Sequence, residues 1–146
     1  MSYDIELKDP VTKRVIELDA VHMMTGGTYA MGGTREAWLN VTYNYSRWYY
    51  KAGVFPEFKD ENAYNGKRDG IRSIYGMSGA ESTPILQQAI SVLENMDEDL
   101  SEEEVEKYTA ADVTGYWMPS RENAIKPLYQ LLAMAQLRPD GIWDGD

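Results

Sequence analysis

The chain has 146 residues, a formal net charge of −10 and no cysteine. That length suits one ordinary domain, expected to span 1–146, and is too short for two. The acidity excludes a general nucleic-acid binder, which needs clustered Lys and Arg to neutralise phosphates. The missing cysteine excludes a disulfide framework and thiolate chemistry, and fits a reducing cytosol.

The opening MSYDIELKD is charged and lacks the apolar core of a signal peptide. No apolar run approaches the roughly 20 residues of a membrane helix, so no membrane partner is expected. Residues 3–8 alternate, with Tyr3, Ile5 and Leu7 on one face. Asp9-Pro10 signals a turn, and residues 13–18 read as the returning strand, which predicts a hairpin over 3–18. His22, Met23 and Met24 then lead into GGTYAMGGT, where two Gly-Gly-Thr triplets flank a short predicted strand at 28–31. Gly32-Gly33 reads as a tight hairpin turn, because both central residues of such a turn need positive φ.

Residues 35–45 read as a long strand, with Leu39, Val41, Tyr43 and Tyr45 on one face and Asn40, Thr42 and Asn44 on the other. A helix competes over 35–52, because Trp38, Val41, Tyr45, Trp48 and Ala52 have helical spacing and Thr34 could cap it. Unbroken alternation and poor helix formers favour the strand up to Tyr45, with a helical turn over 46–51. Residues 53–70 have no clear period and read as a loop. A helix follows, with Thr83 as expected N-cap, Pro84 in its first turn and an apolar stripe from Ile85 to Met96. Ser101 and Glu104 fit a capping box. Ser120 starts a last helix with Ile125, Leu128, Leu131, Leu132 and Ala135 inward, and Pro127 should kink it or mark a start nearer Asn123. Trp143 is expected to fold back onto the body. Strands first and helices second predict α+β: an antiparallel sheet from N-terminal hairpins, with C-terminal helices packed on one face.

Few residues offer chemistry. His22 is the single histidine, so a zinc site is not expected, nor any metal or cofactor. His22 could act as a general base with Asp19 or Glu36 as orienting carboxylate, or simply bond to backbone at a strand edge. No nucleophile elbow, Walker loop or dinucleotide fingerprint occurs. Arg72, Ser78 and Ser82 could hold a phosphate-containing ligand at a helix N-terminus, although Glu81 there would repel it. Asn40, Thr42 and Asn44, with Thr28, Tyr29 and Tyr45 nearby, form a candidate binding face framed by aromatic side chains. Nine acids fall between Glu94 and Asp112 against Lys107 alone, a local net of −8. They could mimic a phosphate backbone toward a nucleic-acid-binding protein, or be a solvated helix start.

HMMTGGTYAMGGTREAWLNVTYNYS, GIRSIYGMSGAES, YWMPSRENA and RPDGIWDGD together cover most of the chain. They resemble a family of small phage- and prophage-encoded proteins with no established activity. The resemblance implies action in the cytoplasm of an infected or lysogenic bacterium, and no particular reaction. Small acidic phage proteins are often accessory factors that inhibit host defence by binding. The expected role is therefore a non-catalytic binder: an inhibitor of a host defence protein, or a sequestering protein for a nucleotide-like signal. The alternatives are a small hydrolase or transferase using His22 on a phosphate-containing ligand, and a DNA mimic using the 94–112 segment.

Overall fold

A computed structural model describes residues 2–22, 33–52, 58–59, 67–68 and 70–146. β1 (Ser2–Lys8) alternates as its sequence predicts, burying Tyr3, Ile5 and Leu7. It is the centre of a three-stranded antiparallel sheet, between β4 (Trp38–Thr42) and β7 (Ile142–Gly145). The register sets Tyr3 opposite Val41, Ile5 opposite Leu39 and Leu7 opposite Trp143. Those six side chains form one apolar face, and all are buried. A second sheet pairs β2 (Glu17–His22) with β3 (Thr34–Glu36), and a third pairs β5 (Phe58–Lys59) with β6 (Lys67–Arg68).

The helices are α1 (Ser46–Ala52), α2 (Gly79–Glu94), α3 (Glu102–Ala110) and α4 (Arg121–Leu137). α2 packs along α4. Leu86, Ala89 and Leu93 from one, and Ala124, Leu128, Leu131 and Ala135 from the other, join the core with no exposed surface. The fold is α+β, with antiparallel sheets and helices packed against them. Among the described residues, no helix is long and apolar enough to cross a membrane.

Several expectations change. The turn at Asp9 forms, with Asp9 N–H bonded to the Arg14 carbonyl and a bridge between Lys8 and Val15. Beyond it the hairpin over 3–18 opens: β1 spends its ladder on β4 and β7, while β2 leaves to pair with β3. The strand reading of 35–45 holds to Thr42, interrupted at Ala37, and the chain then turns through a 3₁₀ segment, Tyr43–Tyr45, into α1. Gly33 has φ of 74°, as the turn reading requires; Gly32 and residues 28–31 lie outside the described residues. The 53–70 stretch, read as a loop, contains the β5–β6 pair.

α2 begins at Gly79, earlier than Thr83 and Pro84 suggested, because Ser78 and Glu81 form a capping box. Pro84 therefore lies inside the helix. Pro127 also sits within an unbroken α4, whose N-cap is Ser120. Trp143 does fold back, and it does so as part of β7; its indole N–H donates to Ser82 Oγ at 2.7 Å.

Candidate binding groove

β2 and the C-terminal half of α4 enclose a groove of about 350 Å³, within the range of small-ligand and side-chain pockets. β2 contributes its full length, Glu17 to His22, and α4 contributes Gln130, Ala133, Met134 and Leu137, with Arg138 just beyond it. The floor is apolar: Leu18 and Met134 are buried. Val21 is 59% exposed and Leu137 66% exposed, so two large apolar side chains stand in solvent on the groove wall. Such a grouping marks a contact site more often than scattered exposed residues do.

The rim is acidic. Glu17 and Asp19 are exposed, and Asp19 has no ion-pair or hydrogen-bond partner among the described residues. The lining cation, Arg138, is already committed. Its guanidinium bonds Asp140 in two places, at 3.0 and 2.9 Å, and lies 3.5 Å from Asp9. The Asp140 carboxylate raises the arginine's hold on its proton, and Arg138 in turn lowers the pKa of Asp140.

His22 lines this groove, and its ring is tied to backbone. Nε2 lies 2.6 Å from the main-chain oxygen of Glu36. A carbonyl can only accept, so Nε2 carries the proton. Nδ1 is shut off from solvent and has no partner among the described residues. Glu36 therefore meets His22 through its carbonyl, with no bond between ring and carboxylate; the local arrangement is a histidine fastened at a strand edge. Asp19 and His22 both line the groove. Among the described residues, no group of three or more His, Cys, Asp or Glu side chains is arranged to hold a metal.

The other candidates are dispersed. Thr28 and Tyr29 lie outside the described residues. Asn40 and Thr42 are buried, at 5% and 1% exposure, and Asn40 donates to Ser2 Oγ and Asp4 Oδ1. The polar face of β4 is thus largely closed, and Asn44 alone of the three is exposed. Asn44 donates to the Trp117 carbonyl at 2.9 Å. Tyr45 is in the core, with its hydroxyl on the Tyr116 carbonyl. Trp48 and Tyr49, also buried, donate to the carbonyls of Pro119 and Ala124. The expected aromatic frame is therefore an anchor for the 116–124 connector.

Arg72 stacks over Tyr3 and Tyr43, donates to the Tyr43 hydroxyl at 3.0 Å and to the Asp146 main-chain oxygen at 2.8 Å. At the start of α2 no N–H is left for an anion. Gly79 and Ala80 donate to the carbonyls of Gly141 and Pro139, Glu81 to Ser78 Oγ, and Ser82 to the Ser78 carbonyl. Arg72, Ser78 and Ser82 hold the fold together at separate points, and the phosphate reading of this segment loses its donors.

The groove's apolar and acidic wall is marked by side chains that the fold leaves exposed. Asp19-Ala20-Val21 breaks the period of two, with all three side chains exposed. Leu137 ends α4 as an apolar side chain held in solvent. Comparison of the chain with protein-family models, with curated proteins and with solved structures finds no match in any of the three.

Proposed function

We propose that the protein is a non-catalytic binding protein, an accessory inhibitor of the phage type. It works by docking a basic–apolar part of a host protein into the β2–α4 groove. The observation that carries this reading is the mismatch between the groove and a phosphate ligand. Its lining is mostly apolar, its rim carries Glu17 and Asp19, and Arg138 is neutralised by Asp9 and Asp140. A nucleotide-like signal would meet acids there and no uncommitted lining cation. A Lys or Arg beside an apolar side chain would meet both of its needs.

Site-specific photocrosslinking tests the reading. A crosslinker replaces Leu137 in one sample and Val105, on α3, in another, and each is exposed to bacterial lysate. A single host protein should crosslink from position 137, and Ala133→Trp, which fills the groove from an exposed helix position, should abolish it. Crosslinking from position 105 alone, or insensitivity to Ala133→Trp, would remove the groove from the function. Co-purification of a nucleotide released by Ala133→Trp would replace the protein partner with a small molecule.

A further inference from the structure

We infer that the groove reads its partner by strand addition: an extended basic–apolar segment pairs main chain to main chain with the outer stretch of β2. The inference rests on the binding role proposed above and specifies how the site works. Its starting point is an irregularity in the second sheet. Glu17 pairs with Glu36 and His22 with Thr34. Four residues, Leu18 to Val21, therefore stand opposite Arg35 alone. One residue cannot satisfy the main-chain groups of four.

Part of the shortfall is met locally: Arg35 Nε donates to the Leu18 carbonyl at 2.9 Å. The rest is not. β2 has one sheet neighbour, β3, so its other edge is open among the described residues. No main-chain bond from a turn, loop or cap reaches Asp19, Ala20 or Val21 among them either. All three side chains are exposed, so the stretch is accessible along an edge that no described strand covers. An open edge of this kind is a template for another strand, and proteins that keep one exposed commonly use it for recognition.

The surroundings select what pairs. Asp19 and Glu17 project acid at the rim, while Leu18, Val21, Met134 and Leu137 give apolar wall and floor. Successive side chains of an added strand point to opposite sides. A segment alternating Val, Ile or Leu with Lys or Arg would place one set into the groove and the other toward the acids. An acidic segment would be repelled by Asp19, while Glu17 shares its charge with Arg35, 3.9 Å away.

The test uses the full chain and two capped synthetic heptapeptides, KVKVKVK and EVEVEVE, followed by amide NMR and hydrogen exchange. The basic peptide should bind with Kd tighter than about 1 mM, contact the Met134 and Leu137 side chains, and slow exchange at the amides of residues 19–21. EVEVEVE should bind at least tenfold more weakly, and Ala133→Trp should remove the response to KVKVKVK. Contact with Met134 and Leu137 without slowed exchange at 19–21 refutes strand addition while leaving the groove's binding role standing. Absence of binding, or binding that perturbs residues 102–110 and not the groove, overturns the inference. The crosslinking experiment above then decides separately whether the groove binds a protein at all.

Discussion

Individual buried residues carry well-defined stability consequences. Leu131 has no exposed surface and lies on the inward face of α4, so Leu131→Ala should cost about 2–5 kcal/mol in a denaturant titration. A change below about 1 kcal/mol would mean that the site collapses without a cavity. Ser82 is a sharper case. It is fully buried, donates to the Gly79 carbonyl and accepts from Trp143 Nε1. Ser82→Ala leaves that indole N–H without its acceptor, at a cost of about 1–3 kcal/mol. Trp143→Phe should cost less in that background than alone, because the orphaned donor goes with it; purely additive costs would show that the bond is not the cause. Tyrosines set the alkaline limit. Burial, and then the neighbouring Tyr116, push Tyr45 up to about 12, and burial also holds Tyr49 well above its ordinary value. The folded chain keeps these protons while the unfolded chain loses them above about 10. Stability should therefore be fully present below about pH 10 and fall as pH rises toward 12. Coincident unfolding and tyrosinate absorbance over that window is the expected result.

At the level of elements, local rules worked where the signal was local. The alternation of β1, the stripes of α2 and α4 and the capping box of α3 all rest on residues a few positions apart. A second box, Ser78–Glu81 at the start of α2, has the same S-x-x-E spacing as Ser101–Glu104. The Ser78 box is masked in the sequence by Thr83-Pro84, which offers a competing helix start. What could not be read was pairing between distant segments. β7 adds to β1 across nearly the whole chain, and the excess of four residues over one in β2 exists only once β3 sets the register. The groove depends on both β2 and α4, so no single window contains it. Close packing of α2 on α4 gives a further prediction. A Cβ at Gly79 would lie 2.7 Å from the Arg138 carbonyl oxygen and 2.8 Å from that of Ala135. Backbone cannot yield as a flexible side chain would, so Gly79→Ala should destabilise by about 1–3 kcal/mol. Alanine's helix propensity alone predicts a gain of about 1 kcal/mol, so a more stable variant would contradict the packing.

α3 has no buried residue. Its capping box, the Arg47–Glu104 ion pair at 2.8 Å and, just before it, the Lys51–Glu98 pair tie it to the body. Glu104 is lowered in pKa, first by its bond to Arg47 and then by the Ser101 backbone N–H. Its contribution should be present above the ordinary glutamate range and be lost as pH falls through the lowered value. Amide protection in α3, relative to the intrinsic exchange rate at each pH, should therefore fall on acidification before that of α2 or α4. Uniform loss of protection across all three helices would show that α3 is coupled to the core by more than these pairs.

Charge is distributed unevenly over the whole molecule, and this separates two ways of engaging a basic partner. The acids of 94–112 have structural duties: Glu104 caps α3, Glu98 pairs with Lys51, and Asp99 accepts from the Arg121 and Leu100 N–H groups. Asp97, Glu102, Glu103 and Glu106 are exposed, and a net of −8 in one stretch sets up a field that attracts a basic protein from a distance. Steering of this kind acts on association and is screened beyond about 8 Å at physiological ionic strength. Contacts in the groove act on dissociation. With the host protein recovered through position 137, Asp97→Lys/Glu98→Lys/Glu102→Lys should slow association severalfold at low salt and leave dissociation nearly unchanged, provided that the variant remains folded. Ala133→Trp should do the reverse. If the charge-reversed variant instead loses all binding while Ala133→Trp binds normally, the acidic segment is the docking surface itself. The DNA-mimic reading then replaces the groove. Association that is equally fast for wild type and the charge-reversed variant at low salt would leave the acids with their structural duties alone. The capping box and ion pairs favour a steering role over a docking one, because residues already bonded within the fold are costly to redirect toward a partner.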